Sequence, residues 1–273
     1  MGIFQGVLLV SDLDGTLLNK DRIVSAPNAE ALRAFIAQGG RFTVATGRAL
    51  QAFELPRRGI PMNAPVILAN GALIYDYDSQ KILHTVPLSE GFMPLCHAVR
   101  EHFPHVAVEA HLPEGIWLLG ANASSRLHGQ VIGVEQTLVN APEEIPAGWL
   151  KMLFTAEHDD LVTLRDWLQP QCEGRFDLLF SHPCLLEMQD VRANKGEGVS
   201  WLAEHLGVSR IYCCGDYQND LPMLTRFTSF APQNAEPGVR AAVGQVGPSC
   251  DEHFMAWVVA QLGEEGSGSG VSG

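Results

Sequence analysis

Positive charge is scarce in this chain. Its 273 residues include 18 Lys and Arg against 31 Asp and Glu, a formal charge of −13. A general nucleic-acid surface needs a basic stripe, and this balance excludes one. No apolar run approaches the roughly 18 residues needed to span a bilayer, and no basic amphipathic helix is present to lie on one. The first six residues show neither the charged n-region nor the apolar h-region of a signal peptide. Gly2 follows Met1, but position 6 is Gly, where an N-myristoylation motif has Ser or Thr. The six cysteines, Cys96, Cys172, Cys184, Cys213, Cys214 and Cys250, form no CxxC pair. Cys213 and Cys214 lie in an apolar run, where cysteine acts as a small hydrophobe. These absences set the expectation of a soluble cytoplasmic protein with reduced cysteines and with neither a nucleic acid nor a membrane as partner.

What is present is a core and a rhythm. The composition is 46% hydrophobic, enough for one large domain or two modest ones. Apolar runs at residues 7–10, 41–45 and 65–68 read as buried strands. Between the first two, Ser25-Ala26-Pro27 opens a helix with Ala31, Leu32, Phe35 and Ile36 on its apolar face and Gly39-Gly40 as its stop. Such βαβ alternation implies an α/β fold, a Rossmann-like parallel sheet with helices on both faces. From residue 82 to 188 the rhythm changes to amphipathic, hairpin-like strands (106–109, 116–119, 151–155, 176–180 and 184–188) with helices near 90–102 and 159–168. That segment reads as an inserted α+β domain. From 189 to 262 the βα alternation resumes, with a helix from Lys195 whose apolar face is Val199, Leu202, Ala203 and Leu206, and a strand at 210–214. Residues 1–81 and 189–262 thus form the core domain, 82–188 the insertion, and 263–273 a Gly/Ser-rich tail expected to be disordered. No internal repeat occurs.

Four segments that follow strands or open helices carry chemistry. They are Asp12-Leu13-Asp14-Gly15-Thr16, Thr46-Gly47-Arg48, Asn194-Lys195-Gly196 and Gly215-Asp216-Tyr217-Gln218-Asn219-Asp220. Singly each is ordinary: Asp and Gly favour turns, Thr-Gly-Arg suits a helix start, and a lone lysine is usually solvated. In a parallel sheet, however, the loops after the strands share one edge, and ligands bind in the crevice outside it. On extended chain Asp12 and Asp14 would point to one face, where like charges disfavour joint ionisation. Asp12, Asp14, Asp216 and Asp220 would bring up to four negative charges into the crevice, against one positive charge from Lys195. A divalent hard cation would balance them, and oxygen-only ligands favour Mg2+ over Zn2+. No His/Cys cluster suggests zinc.

Taken together, DLDGT at 12–16, TGR at 46–48, NGA at 70–72, NKG at 194–196 and GDYQND at 215–220 resemble the haloacid dehalogenase superfamily of phosphohydrolases, and within it the Cof-like branch with a type IIB cap. The resemblance covers nearly the whole chain, with the motifs in order and the cap-sized insertion between the second and third superfamily motifs. It implies Mg2+-dependent hydrolysis of a small phosphomonoester, a sugar phosphate or related metabolite, through an aspartyl-phosphate. It implies that Asp12 is the nucleophile and Asp14 the general acid and base. It also implies that Asp12, the Asp14 backbone carbonyl, Asp216 and Asp220 hold or orient the metal, and that Thr46, Gly47, Lys195 and Asn219 hold the phosphoryl oxygens. Arg48 and Asn70 are candidate substrate contacts. The run from Phe230 to Ala235 departs from the family pattern at Pro232, a stiffened loop expected to lie remote from the nucleophile.

The inserted domain is expected to close over the sheet edge and exclude water, with Trp117, Arg126, His128, His182 and Glu187 as polar or amphipathic candidates to face the substrate. Two alternatives remain beside hydrolysis: a phosphosugar mutase, which shares the Asp pair and the cap type, and a non-catalytic sugar-phosphate sensor. A sensor need not keep both Asp12 and Asp14.

Overall fold

The computed structural model describes residues 2–268, and within them the chain separates into two compact units. One comprises the segments up to Gly47, Leu55–Leu83 and from Asn194 onward; the other comprises Arg48–Glu54 and His84–Ala193. Residues 48–54, read from the sequence as part of the first domain, therefore pack with the second. There Gln51 Nε2 donates to the Pro113 carbonyl at 2.7 Å.

The first unit holds strands β1 (Val7–Ser11), β2 (Arg41–Val44), β3 (Val66–Leu68) and β4 (Leu73–Asp76) and the start of β5 (Lys81–Thr85), whose last two residues group with the second unit, with helix α1 (Ala26–Ala37) between the first two strands. The short helix α2 (Leu50–Phe53) belongs to the segment that packs with the second unit. After the insertion the first unit resumes with a helix at Lys195–Leu206 and strands at Arg210–Cys214, Thr228–Pro232 and Gln245–Gly247. β1 is flanked on both sides: Ser11 is in register with Val44 of β2 on one side and with Cys214 on the other, all parallel. The third predicted strand departs from expectation. β3 pairs antiparallel with β4 in a separate three-stranded sheet, and one parallel bridge, Ala45 to Ile67, joins it to the end of β2.

Local chemistry sets the helix boundaries. Ser25 caps α1, its Oγ accepting from Asn28 N, with Pro27 in the first turn. The buried face of α1 is Asn28, Ala29, Leu32 and Phe35, rotated slightly from the predicted one. Asn28 is buried because its Oδ1 accepts from Ala256 N at 3.0 Å, which ties α1 to the last helix.

The second unit holds α3 (Phe92–His102), β6 (Ala107–Leu112), β7 (Gly115–Leu119), α4 (Ala123–Ile132), β8 (Gln136–Val139), β9 (Lys151–Thr155), α5 (His158–Cys172), β10 (Phe176–His182) and β11 (Leu185–Asp190). Its six strands run in the order β10-β11-β9-β6-β7-β8. Alternation along the strands gives one apolar face: Val108, Ala110, Met152, Phe154, Leu186 and Met188 pack in one core with Leu95, Val99, Leu161, Leu164 and Leu168 of α3 and α5. The alternate positions, Glu109, His111, Lys151, Glu187 and Gln189, are polar and buried. Glu109 is fully buried between two imidazoles: His128 Nδ1 lies 3.0 Å and His111 Nε2 3.3 Å from its carboxylate. Those hydrogen bonds outweigh burial and hold its carboxyl down at about 2, so both ring nitrogens donate. Lys151 Nζ donates to Glu187 Oε2 at 2.7 Å, and this ion pair outweighs burial to lower the Glu187 carboxyl.

The remaining elements are α6 (Lys195–Leu206), β12 (Arg210–Cys214), α7 (Leu221–Leu224), β13 (Thr228–Pro232), α8 (Pro237–Ala242), β14 (Gln245–Gly247) and α9 (Phe254–Gly268). The parallel sheet reads β14-β13-β12-β1-β2. Asn194 caps α6 through Glu197 N at 2.9 Å, and Gly207, with φ +65°, ends it. The tail expected to be disordered from 263 is helical as far as Gly268 in α9; residues 269–273 lie outside the described residues. All six cysteines are free thiols. Among the described residues no helix is long and apolar enough to cross a membrane.

Candidate active site

The parallel ladder continues one residue past the strands. Asp12 N donates to Cys214 O at 2.8 Å, and Ala45 N donates to Ser11 O at 2.9 Å. The ends of β1, β2 and β12 are thereby level, and the loops that follow leave from one edge.

The loop after β1 turns at once. Extended chain ends at Ser11, so Asp12 and Asp14 do not share an environment as expected on a strand: Asp12 is buried and Asp14 is exposed. Gly15 makes the turn with φ +83°, and a Cβ on it would lie 2.5 Å from Asp216 Oδ2. Thr16 Oγ1 then donates to Asp216 Oδ1 at 2.6 Å.

Lys195, the first residue of α6 and fully buried, joins the segments. Its Nζ donates to Asp12 Oδ1 at 2.5 Å and to Asp220 Oδ1 at 2.6 Å. Asp220 Oδ2 accepts from the Asp216 and Tyr217 backbone N–H groups, both at 2.9 Å, so this carboxylate also shapes its own loop. Carboxylate oxygens of Asp12, Asp216 and Asp220 lie within 4.8 Å of one another.

The electrostatics follow from burial. Burial pushes the Asp12 carboxyl well above the usual range; Lys195 opposes the shift, and the Asp220 and Asp216 carboxylates add to it. Burial likewise pushes Asp216 up to about 6, against the hydrogen bond from Thr16 and with Asp220 adding to the rise. Burial disfavours the charge on Lys195, but Asp12 and Asp220 outweigh it and keep its pKa above that of a free lysine. Three crowded carboxylates and one ammonium leave surplus negative charge. The all-oxygen donor set fits a hard divalent cation. Asp14 stands outside the carboxylate group.

A second set of contacts surrounds Asn70, which is buried. Asn70 N donates to Thr46 O at 3.0 Å, and Asn219 Nδ2 donates to Asn70 Oδ1 at 3.1 Å. Gly47 approaches the same amide so closely that a Cβ there would be 2.9 Å from Asn70 Oδ1. Arg48 groups with the second unit, where its Nη1 donates to Ala52 O at 3.3 Å.

One contact corrects the sequence reading. The 230–235 run was expected to be remote from the nucleophile, yet Asn234 Nδ2 donates to Gly15 O at 2.8 Å. Its Oδ1 accepts from Cys250 N, so Asn234 braces the turn that presents Asp12. Pro232 itself is the last residue of β13, in register with Gly247 of β14.

Residues 9–258 match the family model of haloacid dehalogenase-like hydrolases. An HMP-PP phosphatase from Enterobacter sp. (strain 638) is 29% identical over 221 residues, 80% of each chain. A solved haloacid dehalogenase-like hydrolase from Bacteroides thetaiotaomicron superposes with a TM-score of 0.80 at 21% identity, covering 93% of this chain and 98% of that one. A sugar phosphatase of haloacid dehalogenase subclass IIB superposes with a TM-score of 0.79 at 19% identity, covering 94% and 98%.

Proposed function

The chain belongs to the haloacid dehalogenase-like hydrolase family, and from that premise we propose that it is a cytoplasmic phosphatase that hydrolyses a small phosphomonoester, a sugar phosphate or related metabolite, with Mg2+ bound at the Asp12–Asp216–Asp220 group. The observation that carries the reading is the buried Lys195 ammonium bridging the Asp12 and Asp220 carboxylates, with Asp216 beside them. Residues from three distant segments supply a nucleophile, a cation seat and a phosphate-binding charge at one point.

In this reading an Asp12 carboxylate oxygen attacks phosphorus, and the bond from phosphorus to the leaving oxygen breaks. Asp14, on the exposed side of the Gly15 turn, gives its proton to the leaving alcohol. A water then attacks the phosphorus of the Asp12 acyl phosphate, Asp14 takes that water's proton, and the Asp12–phosphate bond breaks. Lys195, Thr46, Gly47 and Asn219 hold the phosphoryl oxygens, with charge and N–H or O–H donors fixed before the reaction begins. Asp12 and Asp216, together with the Asp14 backbone carbonyl, would hold the metal. Asp220, whose two oxygens already accept from Lys195 and from two backbone N–H groups, orients the loop and adds charge. A bound Mg2+ would keep the carboxylates ionised and would draw the phosphoryl group toward Asp12.

The experiment is hydrolysis of p-nitrophenyl phosphate with Mg2+ by the unmodified protein and by Asp12→Asn. The variant should fold and lose turnover by at least about a thousandfold. Full activity in the variant would remove Asp12 as nucleophile. With a sugar bisphosphate and a sugar monophosphate present, phosphate transferred to the monophosphate rather than released would replace the phosphatase with a mutase.

A further inference from the structure

The groups proposed to hold the phosphoryl oxygens come from three segments: Thr46 and Gly47 after β2, Lys195 at the start of α6, and Asn219 after β12. One short turn after β3 touches all three. Ala69, Asn70 and Gly71 follow one another with φ +48°, +53° and +100°. Left-handed backbone disfavours L side chains; Asn bears that conformation more readily than Ala does. Such a turn persists only where its surroundings over-determine it.

Those surroundings are the phosphate-holding segments. The Asn70 backbone N–H binds the Thr46 carbonyl. The Asn70 side-chain oxygen faces the Gly47 Cα and receives the Asn219 amide. At Gly71 a Cβ would lie 2.2 Å from the carbonyl oxygen of Asn194, the residue that caps α6 and precedes Lys195. Only a left-handed residue without a side chain fits against that carbonyl.

We propose that the left-handed Ala69–Gly71 turn, with Asn70 at its centre, is the positioning element that sets Thr46, Lys195 and Asn219 in one arrangement around the phosphoryl group. Asn70 is a positioning residue: it acts through Asn219 and through the Thr46–Gly47 backbone, and it does not touch the substrate. The sequence marked Asn70 as a candidate substrate contact; its burial and its amide partner assign the other role. The roles of Thr46, Lys195 and Asn219 themselves rest on the phosphatase reading above.

A double-mutant cycle tests this. Asn70→Gly keeps the left-handed backbone accessible and removes the amide; Asn219→Ala removes its partner; the third protein carries both changes. Each is read by kcat and KM on p-nitrophenyl phosphate and by calorimetric binding of inorganic phosphate, with thermal melts to verify folding. Asn70→Gly should lower kcat on the order of a hundredfold with a smaller change in KM, because a bound phosphate that is misaligned still binds. The double variant should be no more than about threefold worse than Asn219→Ala alone, the signature of two groups acting as one. Losses that multiply, in turnover or in phosphate affinity, would make Asn70 a direct contact and overturn the proposal. Wild-type kcat in Asn70→Gly would overturn it equally. An inactive unmodified protein, or an active Asp12→Asn, would sink the phosphatase reading instead, and the cycle in phosphate affinity would still decide the role of Asn70.

Discussion

Gly15 and Gly6 separate two effects that one substitution usually mixes. Both have left-handed backbone, with φ +83° and +75°, but a Cβ on Gly6 would meet nothing within 4 Å, whereas on Gly15 it would strike Asp216 Oδ2 at 2.5 Å. Alanine at either position should lower the unfolding free energy by roughly 1 kcal/mol or more through backbone strain. Only Gly15→Ala should also lower phosphatase activity, by more than about tenfold, because it alone displaces a carboxylate of the proposed metal group. Urea melts and p-nitrophenyl phosphate turnover on the two variants give the comparison; equal activity in both would mean that the Gly15–Asp216 contact does not govern the site. At this scale Asp12, Lys195, Asp216 and Asp220 were legible in the sequence, because their side chains sit in short motifs that each follow a strand or open a helix. Asn234 was not. Its hydrogen bond to Gly15 O joins residues that no local pattern relates, and the neighbouring Pro232 drew attention to chain stiffness instead.

Helix α6 carries the Lys195 ammonium on its first residue, so its N-terminus is both an element boundary and a piece of machinery. Asn194 Oδ1 satisfies Glu197 N, one of the donors that a helix start leaves without an intrahelical partner. Asn194→Ala should cost about 1 kcal/mol of stability, and Asn194→Asp, which keeps the accepting oxygen, should restore most of it. Fraying of the first turn would also loosen Lys195, so kcat should fall in the alanine variant and recover in step with stability; chemical denaturation and turnover on the pair check this. Elements with a strong periodic signal were legible: β1, β2, β12, α1 and α6 lie where apolar spacing and caps place them. Others carried no such signal. Helix α4 buries only Ser125 and exposes Leu127 and Val131, so it has no apolar stripe to read. Strand β14 is three residues long. Helix α5 runs through Pro170 to Cys172, past the predicted end, because a proline this close to the last turn interrupts little of the helix.

Across the whole molecule, buried ionisable groups pull the pH dependence of stability in opposite directions. In the first unit Asp12 and Asp216 have folded pKa values raised by burial, so ionising them as pH rises costs stability until a cation balances them. In the second unit Glu109 is held at about 2 against an ordinary 4.5, so its contribution is complete above the ordinary value and is lost as pH falls toward 2. His111, lowered mainly by burial, adds in the same sense: it stays neutral when folded, and its contribution is lost as pH falls below the usual histidine range. The sequence could not reveal this, because Glu109 and His128 lie on different elements and only the β6–α4 packing brings them together. Glu109→Gln should therefore lower the unfolding free energy at pH 7 by about 3 kcal/mol, the equivalent of the depressed pKa. Urea unfolding can be followed by tryptophan fluorescence, since three of the five tryptophans, Trp117, Trp149 and Trp167, lie in the second unit. The gap between the variant and the unmodified protein should not shrink from pH 7 down to about 5 and should close progressively between pH 4.5 and 2, where the unfolded carboxyl takes up a proton and the native one still stays ionised. A gap that persists unchanged at pH 3 would mean that Glu109 stabilises the sheet by shape and neutral hydrogen bonds rather than by its charge between the two imidazoles.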